Sequence, residues 1–284
     1  MRKSNIKAFT LVELLVVIGI IAVLISVLLP ALAAARRAAM TTACLSNLRQ
    51  IMTASRMYAN ENNDILPAWA DINGTYAPSG TLAQQQAQQA QTWPGQISRY
   101  LNATYVYGDA IKKTVPVYQC PATRELIDSA VSGSTLDNWT YLSQRPITYS
   151  ICQLATNPAN SFTQRKYVKM SRFVGSEFIL YADNLARRGD NSIGSSYWPW
   201  YFAWYSSMYE VAFRHGQPSG EQAFFQSGGI PTTTPRGLAN AAFLDGHVES
   251  LHWKEFAGYN CSRSNQPQTG LSSSIIAPAS IMNY

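Results

Sequence analysis

The sequence has few of the groups that carry out chemistry. Its 284 residues include three histidines (His215, His247, His252) and four cysteines. It contains no G-x-S-x-G run, no H-E-x-x-H pair and no glycine-rich loop of the kind that cradles phosphate. Nor does any loop have the D-x-[DN]-x-[DN]-G spacing of a calcium site. These absences argue against an enzyme, and the sequence reads as a protein with no cofactor and no resident metal.

A basic surface is also missing from most of the chain. The net charge is +6, with 22 basic and 16 acidic residues. Seven of the basic residues and only one acidic residue, Glu13, lie in 1–60, which leaves 15 of each sign in 61–284. Polyanion affinity comes from clustered cations, so a neutral body of this size excludes nucleic acid as a partner.

What is present is an apolar run. Phe9 to Leu29 is 21 residues long, with Glu13 as its one charge and Thr10, Gly19 and Ser26 as further interruptions. As a helix it is ~31 Å long at ~1.5 Å per residue, the thickness of a bilayer's hydrocarbon core. Arg2, Lys3 and Lys7 precede it, which places the N-terminus in the cytoplasm and the body outside. A secretory signal peptide has support from Ala31-Leu32-Ala33, but its apolar region is usually ~7–15 residues. A plain signal anchor explains the length and leaves Glu13 unexplained. A carboxylate in a membrane helix costs about 2.5–3.5 kcal/mol on insertion scales and needs a partner.

The string Lys7-Ala8-Phe9-Thr10-Leu11-Val12-Glu13-Leu14-Leu15-Val16-Val17-Ile18 closely resembles the cleavage and methylation motif of type IV prepilins and type II secretion pseudopilins. The resemblance implies that prepilin peptidase cuts between Ala8 and Phe9 and that the new amine is methylated. Ala8 stands where the family usually has glycine. Glu13 becomes the fifth mature residue, whose carboxylate the family uses to neutralise the amine of a neighbouring subunit. Two buried charges that are costly apart become a pair when subunits meet, and a subunit out of register leaves both unpaired.

Four segments follow. Residues 1–8 read as a basic leader, 9–30 as a transmembrane helix, 31–60 as its amphipathic continuation, and 61–284 as an extracytoplasmic head. Pro30 removes one backbone hydrogen bond and is expected to kink or loosen the helix. Cys44, Leu45, Leu48, Ile51 and Met52 mark one buried face, with Arg49 and Arg56 off it. Asn60, Asn62, Asn63 and Pro67 are expected to stop the helix. Short strands are predicted over Val115–Cys120, Ile147–Cys152, Tyr167–Val174, Phe178–Ala182, Tyr209–Phe213, Ala239–Leu244 and His247–Leu251. Asp245-Gly246 signals a two-residue hairpin turn. The fold class is α+β: a long pilin-like N-terminal helix packed on an antiparallel β-sheet head with long insertions.

The resemblance extends into the body through Ala43-Cys44-Leu45-Ser46-Asn47-Leu48-Arg49-Gln50-Ile51, Tyr118-Gln119-Cys120-Pro121 and Phe178-Ile179-Leu180-Tyr181-Ala182-Asp183. These are similar to the DUF1559-type group abundant in planctomycete and verrucomicrobial relatives. Arg214-His215 and Asn240-Ala241-Ala242-Phe243-Leu244-Asp245-Gly246-His247 resemble its prepilin-associated H-x9-DG signature, although 29 residues here separate His215 from Asp245. In an oxidising compartment four cysteines allow three full pairings, and the residues alone leave the choice open. The family contexts of Cys44 and Cys120 imply that these two form a disulfide.

Three features remain. His215, Asp245 and His247 are the cluster most like a metal site, but Asp245 also suits the turn and His247 the start of a strand. Asp183 follows an apolar strand, a place where enzymes keep carboxylates, and equally reads as a strand-end turn. The aromatic run Tyr197 to Tyr205 offers Trp198, Trp200 and Trp204 as candidate contacts for a glycan or protein, or as cover for the sheet. The resemblance implies a pilin-like subunit of a type II secretion pseudopilus or type IV pilus, with prepilin peptidase, like subunits and the inner membrane as partners. Its N-terminus is cytoplasmic, and its head is in the periplasm or at the cell surface. The alternative is a membrane-anchored binding module working through the aromatic loop.

Overall fold

A computed structural model describes residues 10–68, 90–102, 116–123, 148–152, 169–184, 201–202, 211–216 and 236–258. Contacts divide the chain into two units, Met1–Ala39 and Met40–Tyr284.

Helix α1, Leu11–Glu61, runs without a break through Pro30. Proline lacks the N–H that would reach the Ser26 carbonyl, yet the alanine-rich residues after it are strong helix formers and carry the helix on. In the first unit the large apolar side chains from Leu11 to Leu32 are 46% to 78% exposed. In the second unit Cys44, Leu48, Ile51, Met52, Ser55 and Ala59 recur at spacings of three and four and are buried. Arg49 and Arg56 are exposed, as the periodicity predicts. The helix closes with the Asp64 N–H donating to the Ala59 carbonyl at 2.8 Å. Asn63 and Asp64 take left-handed φ values of 55° and 68°. Asn and Asp enter that region more readily than most residues, which is why the asparagine-rich end stops the helix.

The sheet has strand order β3-β1-β2-β4-β5. Its strands are β1 Tyr149–Cys152, β2 Ile179–Asp183, β3 Tyr201–Phe202, β4 Ala239–Phe243 and β5 Val248–Leu251. The pairs β1–β2, β2–β4 and β4–β5 are antiparallel. With α1 they make the pilin-like α+β fold. Every residue of β1, β2 and β4 is buried, so both faces of the central sheet are covered and its strands read as apolar runs rather than alternating ones. Two short helices flank the sheet, α2 Trp93–Ile97 and α3 Trp253–Gly258.

Several expected strands differ. At 116–118 the chain forms a 3-10 turn, not a strand. Pro116 and Pro121 cannot donate to a ladder, although the Tyr118 carbonyl accepts the Thr148 N–H at 2.9 Å. Around 167–174 the described residues give one bridge, Lys169 to Ile65, followed by a 3-10 turn over Met170–Arg172. Within 209–213, Val211 makes an isolated bridge to Asn184. The edge strand β3 pairs parallel to β1, a departure from the all-antiparallel expectation. Counted between the hydrogen-bonded residues Phe243 and His247, the hairpin loop is three residues long, not two. The Gly246 N–H donates to Phe243 O at 2.9 Å and the Phe243 N–H to His247 O at 2.9 Å, with Gly246 at φ 101°. A turn followed by a left-handed glycine bulge needs that third residue, Leu244.

Candidate functional site

At its first turn α1 carries a reciprocal cap. Glu13 Oε2 accepts from the Thr10 N–H at 2.8 Å and from the Thr10 hydroxyl at 2.7 Å, while the Glu13 N–H donates to Thr10 Oγ1 at 3.3 Å. This is the T-x-x-E capping box, a signal present in the sequence that the motif reading of Glu13 does not use. Beyond it the apolar side chains of Leu11 to Leu32 face outward all round the helix. Burial of each is worth roughly 1.5–3 kcal/mol, so an apolar surrounding would stabilise the segment. Ala8 and Phe9 lie outside the described residues.

A second polar cluster sits where α1 meets the sheet. Thr41, Cys44 and Asn47 follow at intervals of three, so they share one helix face. Thr41 Oγ1 lies 3.1 Å from His215 Nδ1, Cys44 is disulfide-bonded to Cys120, and the Asn47 amide donates to the Gln119 carbonyl at 2.9 Å. Cys152 is also disulfide-bonded, and Cys261 lies outside the described residues.

His215 is held in place by paired backbone bonds to Leu238, of 3.0 and 2.9 Å. Its Nε2 lies 3.0 Å from Asp183 Oδ2 and 3.5 Å from Cys120 Sγ. Asp183 Oδ2 also accepts the Asn240 N–H at 2.8 Å, whereas buried Oδ1 has no hydrogen-bond partner among the described residues. The buried Arg214 guanidinium likewise has no such partner at Nε, Nη1 or Nη2. Burial lowers the Arg214 pKa, and the negative charge of Asp183 works against that shift. Burial holds the Tyr149 and Tyr181 hydroxyls well above their ordinary range, so both stay neutral donors.

The sequence set His215 beside Asp245 and His247, but the structure gives them different partners. Asp245 Oδ1 lies 2.6 Å from His247 Nδ1 on the exposed hairpin, and the His247 ring stacks on Phe243 at 3.9 Å. Burial pushes the Asp245 carboxyl up, but hydrogen bonds from His247 and the positive charges of His247 and Arg56 outweigh it and leave the pKa lowered. Arg56 donates to the Asp245 carbonyl and so ties the hairpin loop to α1. The partner of His215 is Asp183, which reads in the sequence as a strand end. The run Phe178-Ile179-Leu180-Tyr181-Ala182 ahead of it was the available signal, because a carboxylate at the end of so apolar a strand is set up for burial. Trp198, Trp200 and Trp204 lie outside the described residues.

Comparison with known proteins bears on the N-terminal helix. Residues 3–29 match the prokaryotic N-terminal methylation motif. The type IV wide pilus major component PilA4 of Thermus thermophilus is 48% identical over 59 residues, which are 21% of this chain and 45% of that protein. The match thus spans less than half the length of that relative. No solved structure matches the chain.

Proposed function

We propose that this chain, a type IV prepilin-like protein, is a structural subunit that polymerises through its N-terminal helix into a type IV pilus or type II secretion pseudopilus. The observation that carries the reading is the coincidence of the methylation motif, residues 3–29, with a helical stretch, Leu11 to Leu32, whose large apolar side chains are exposed. The similarity to a pilus component supports the same direction. In this reading prepilin peptidase cuts between Ala8 and Phe9, and the Phe9 amine is methylated. Residues 9–30 hold the subunit in the inner membrane, with the head outside, until neighbours pack against them. The work is mechanical rather than catalytic.

Glu13 is the assembly residue. Within one chain its carboxylate shares lone pairs with Thr10, but those hydrogen bonds bring no positive charge. Inside lipid the charge remains costly, by about 2.5–3.5 kcal/mol. The methylated amine of an adjacent subunit offsets that cost only in register, so one pair supplies both drive and specificity.

The test is the mass of the N-terminal peptide from native membranes. N-methyl-Phe9 is the expected result. An intact Met1 or an N-terminus at Ala34 overturns the reading.

A further inference from the structure

We propose that Cys44, Cys120, His215 and Asp183 form a tetrahedral site for a zinc-class divalent cation in the reduced chain, with metal and disulfide as alternative states of the same two sulfurs. The inference does not depend on filament assembly.

Three of the ligand atoms, the two sulfurs and a His215 ring nitrogen, lie within 4.8 Å of one another and belong to buried residues. With metal–sulfur bonds of about 2.3 Å and metal–nitrogen or metal–oxygen bonds of about 2.0–2.1 Å, the edges of a tetrahedron are roughly 3.5–3.6 Å between sulfur and nitrogen and roughly 3.3–3.4 Å between nitrogen and oxygen. The 3.5 Å from Cys120 Sγ to His215 Nε2 is such an edge. The 3.0 Å from Nε2 to Asp183 Oδ2 is a few tenths shorter, and it lengthens when a cation replaces the proton between them. Two movements are required: the sulfurs separate to about 3.8 Å, the edge set by two bonds of about 2.3 Å, and the Asp183 carboxylate, now against Nε2, turns onto the cation as the fourth ligand.

The surroundings also suit a metal centre. Thr41 Oγ1 engages His215 Nδ1 and leaves Nε2 to face the sulfurs, the arrangement that fixes the tautomer of a ligating histidine. The Asn240 N–H holds the carboxylate of Asp183, whose second oxygen is buried without a donor among the described residues. Two thiolates and an imidazole favour zinc over magnesium or calcium, which take oxygen ligands. A divalent cation with two thiolates and one carboxylate carries a net charge of −1. The buried guanidinium of Arg214 supplies the balancing +1, and its donors are without a hydrogen-bond partner among the described residues. Complete burial makes this a closed, structural centre rather than a catalytic one.

The chemistry balances through a protein dithiol of the compartment. Its two electrons and two protons break the Cys44–Cys120 bond, giving two thiols and leaving the reductant as a disulfide. The cation then forms two metal–sulfur bonds and displaces the two protons. On reoxidation both metal–sulfur bonds break, the sulfur–sulfur bond re-forms, two electrons pass to a protein disulfide and the cation leaves. A chain not yet oxidised is thereby held in the same fold by metal.

The test uses the full chain in detergent micelles, reduced with a phosphine under anaerobic conditions and titrated with Co²⁺. The expected result is one ion per chain with thiolate-to-cobalt charge-transfer absorption, tetrahedral d–d bands, and bleaching by Zn²⁺. His215→Ala is expected to weaken binding at least about tenfold, and the Cys44→Ser/Cys120→Ser double variant to abolish the charge-transfer band. Circular dichroism before and after Zn²⁺ reports whether metal restores any fold lost on reduction. No charge-transfer band in the reduced wild type, folded or unfolded, overturns the proposal. So does affinity unchanged in His215→Ala, or a band that survives loss of both sulfurs.

Discussion

The hydroxyl of Ser55, on α1, lies 2.6 Å from the hydroxyl of Tyr181, at the centre of β2, and both residues are fully buried. Ser55 also donates to the Ile51 carbonyl at 2.9 Å, so the proton between the hydroxyls belongs to Tyr181. The two deletions are therefore unequal. Tyr181→Phe removes a donor and leaves Ser55 satisfied, at about 1 kcal/mol. Ser55→Ala strands a buried phenol and costs more, within roughly 1–3 kcal/mol. Denaturant midpoints of the two variants and the double variant check this. Equal single costs that add without coupling would contradict it.

Gly237 is needed for close approach. A Cβ there would stand 2.0 Å from the Phe213 carbonyl oxygen, which is backbone and has little freedom to give way. Gly237→Ala is expected to cost about 3 kcal/mol or more, at or beyond the upper end of overpacking effects, and to disturb the pairing that places His215. Gly19→Ala meets nothing within 4 Å and serves as the control. Thermal melts of the two, side by side, decide it.

The Cys44–Cys120 bond closes a loop with a sequence separation of 76. The chain-entropy account gives about 4.5 kcal/mol for a loop of that size, and measured values are usually about 2–4 kcal/mol. Cys44→Ser in metal-free buffer is expected to lose an amount in that range. A midpoint unchanged from wild type would mean that the closure contributes nothing.

Acid is expected to loosen the exit of α1. Hydrogen bonds from Ser171, its side chain first and then its N–H at 3.0 Å, hold the Asp64 carboxyl below its usual value. A lowered folded-state pKa means that the contact's stability is present above the unfolded value of about 3.9 and is lost as pH falls through the folded value. The site is partly exposed, so the effect is small. Hydrogen exchange of the Ser171 amide between neutral pH and pH 3 reads it. The same acid response in Asp64→Asn would assign it elsewhere.

Glu13→Ala is expected to leave membrane insertion intact, because it removes a charge from an apolar helix, and to abolish incorporation into filaments. Membrane fractionation and a filament-shearing assay separate the two effects. Normal filaments would sink the pairing mechanism.

Much of the fold is legible because its signals are local. The buried face from Cys44 to Met52, the asparagine-rich stop and the strands β1, β2, β4 and β5 each follow from side chains a few residues apart. The capping box of Thr10 and Glu13 is equally local. The 116–118 turn is not legible in this way, because its apolar residues resemble a strand while Pro116 and Pro121 deny it donors. The three-residue hairpin loop also depended on a bulge that Asp-Gly alone does not specify.

By itself the sequence determined the apolar N-terminal helix with its one carboxylate, and the broad order of helix before sheet, because periodicity and composition act within a few turns of chain. Tertiary structure decided what sequence neighbours cannot encode. It set the parallel pairing of β3 on β1, and it left His215 with Asp183 rather than with the Asp245 hairpin. It also joined Cys44 to Cys120 among the three pairings open to four cysteines. Each of these contacts joins residues far apart in the chain, and their cost in chain entropy is met only when the whole core closes around them.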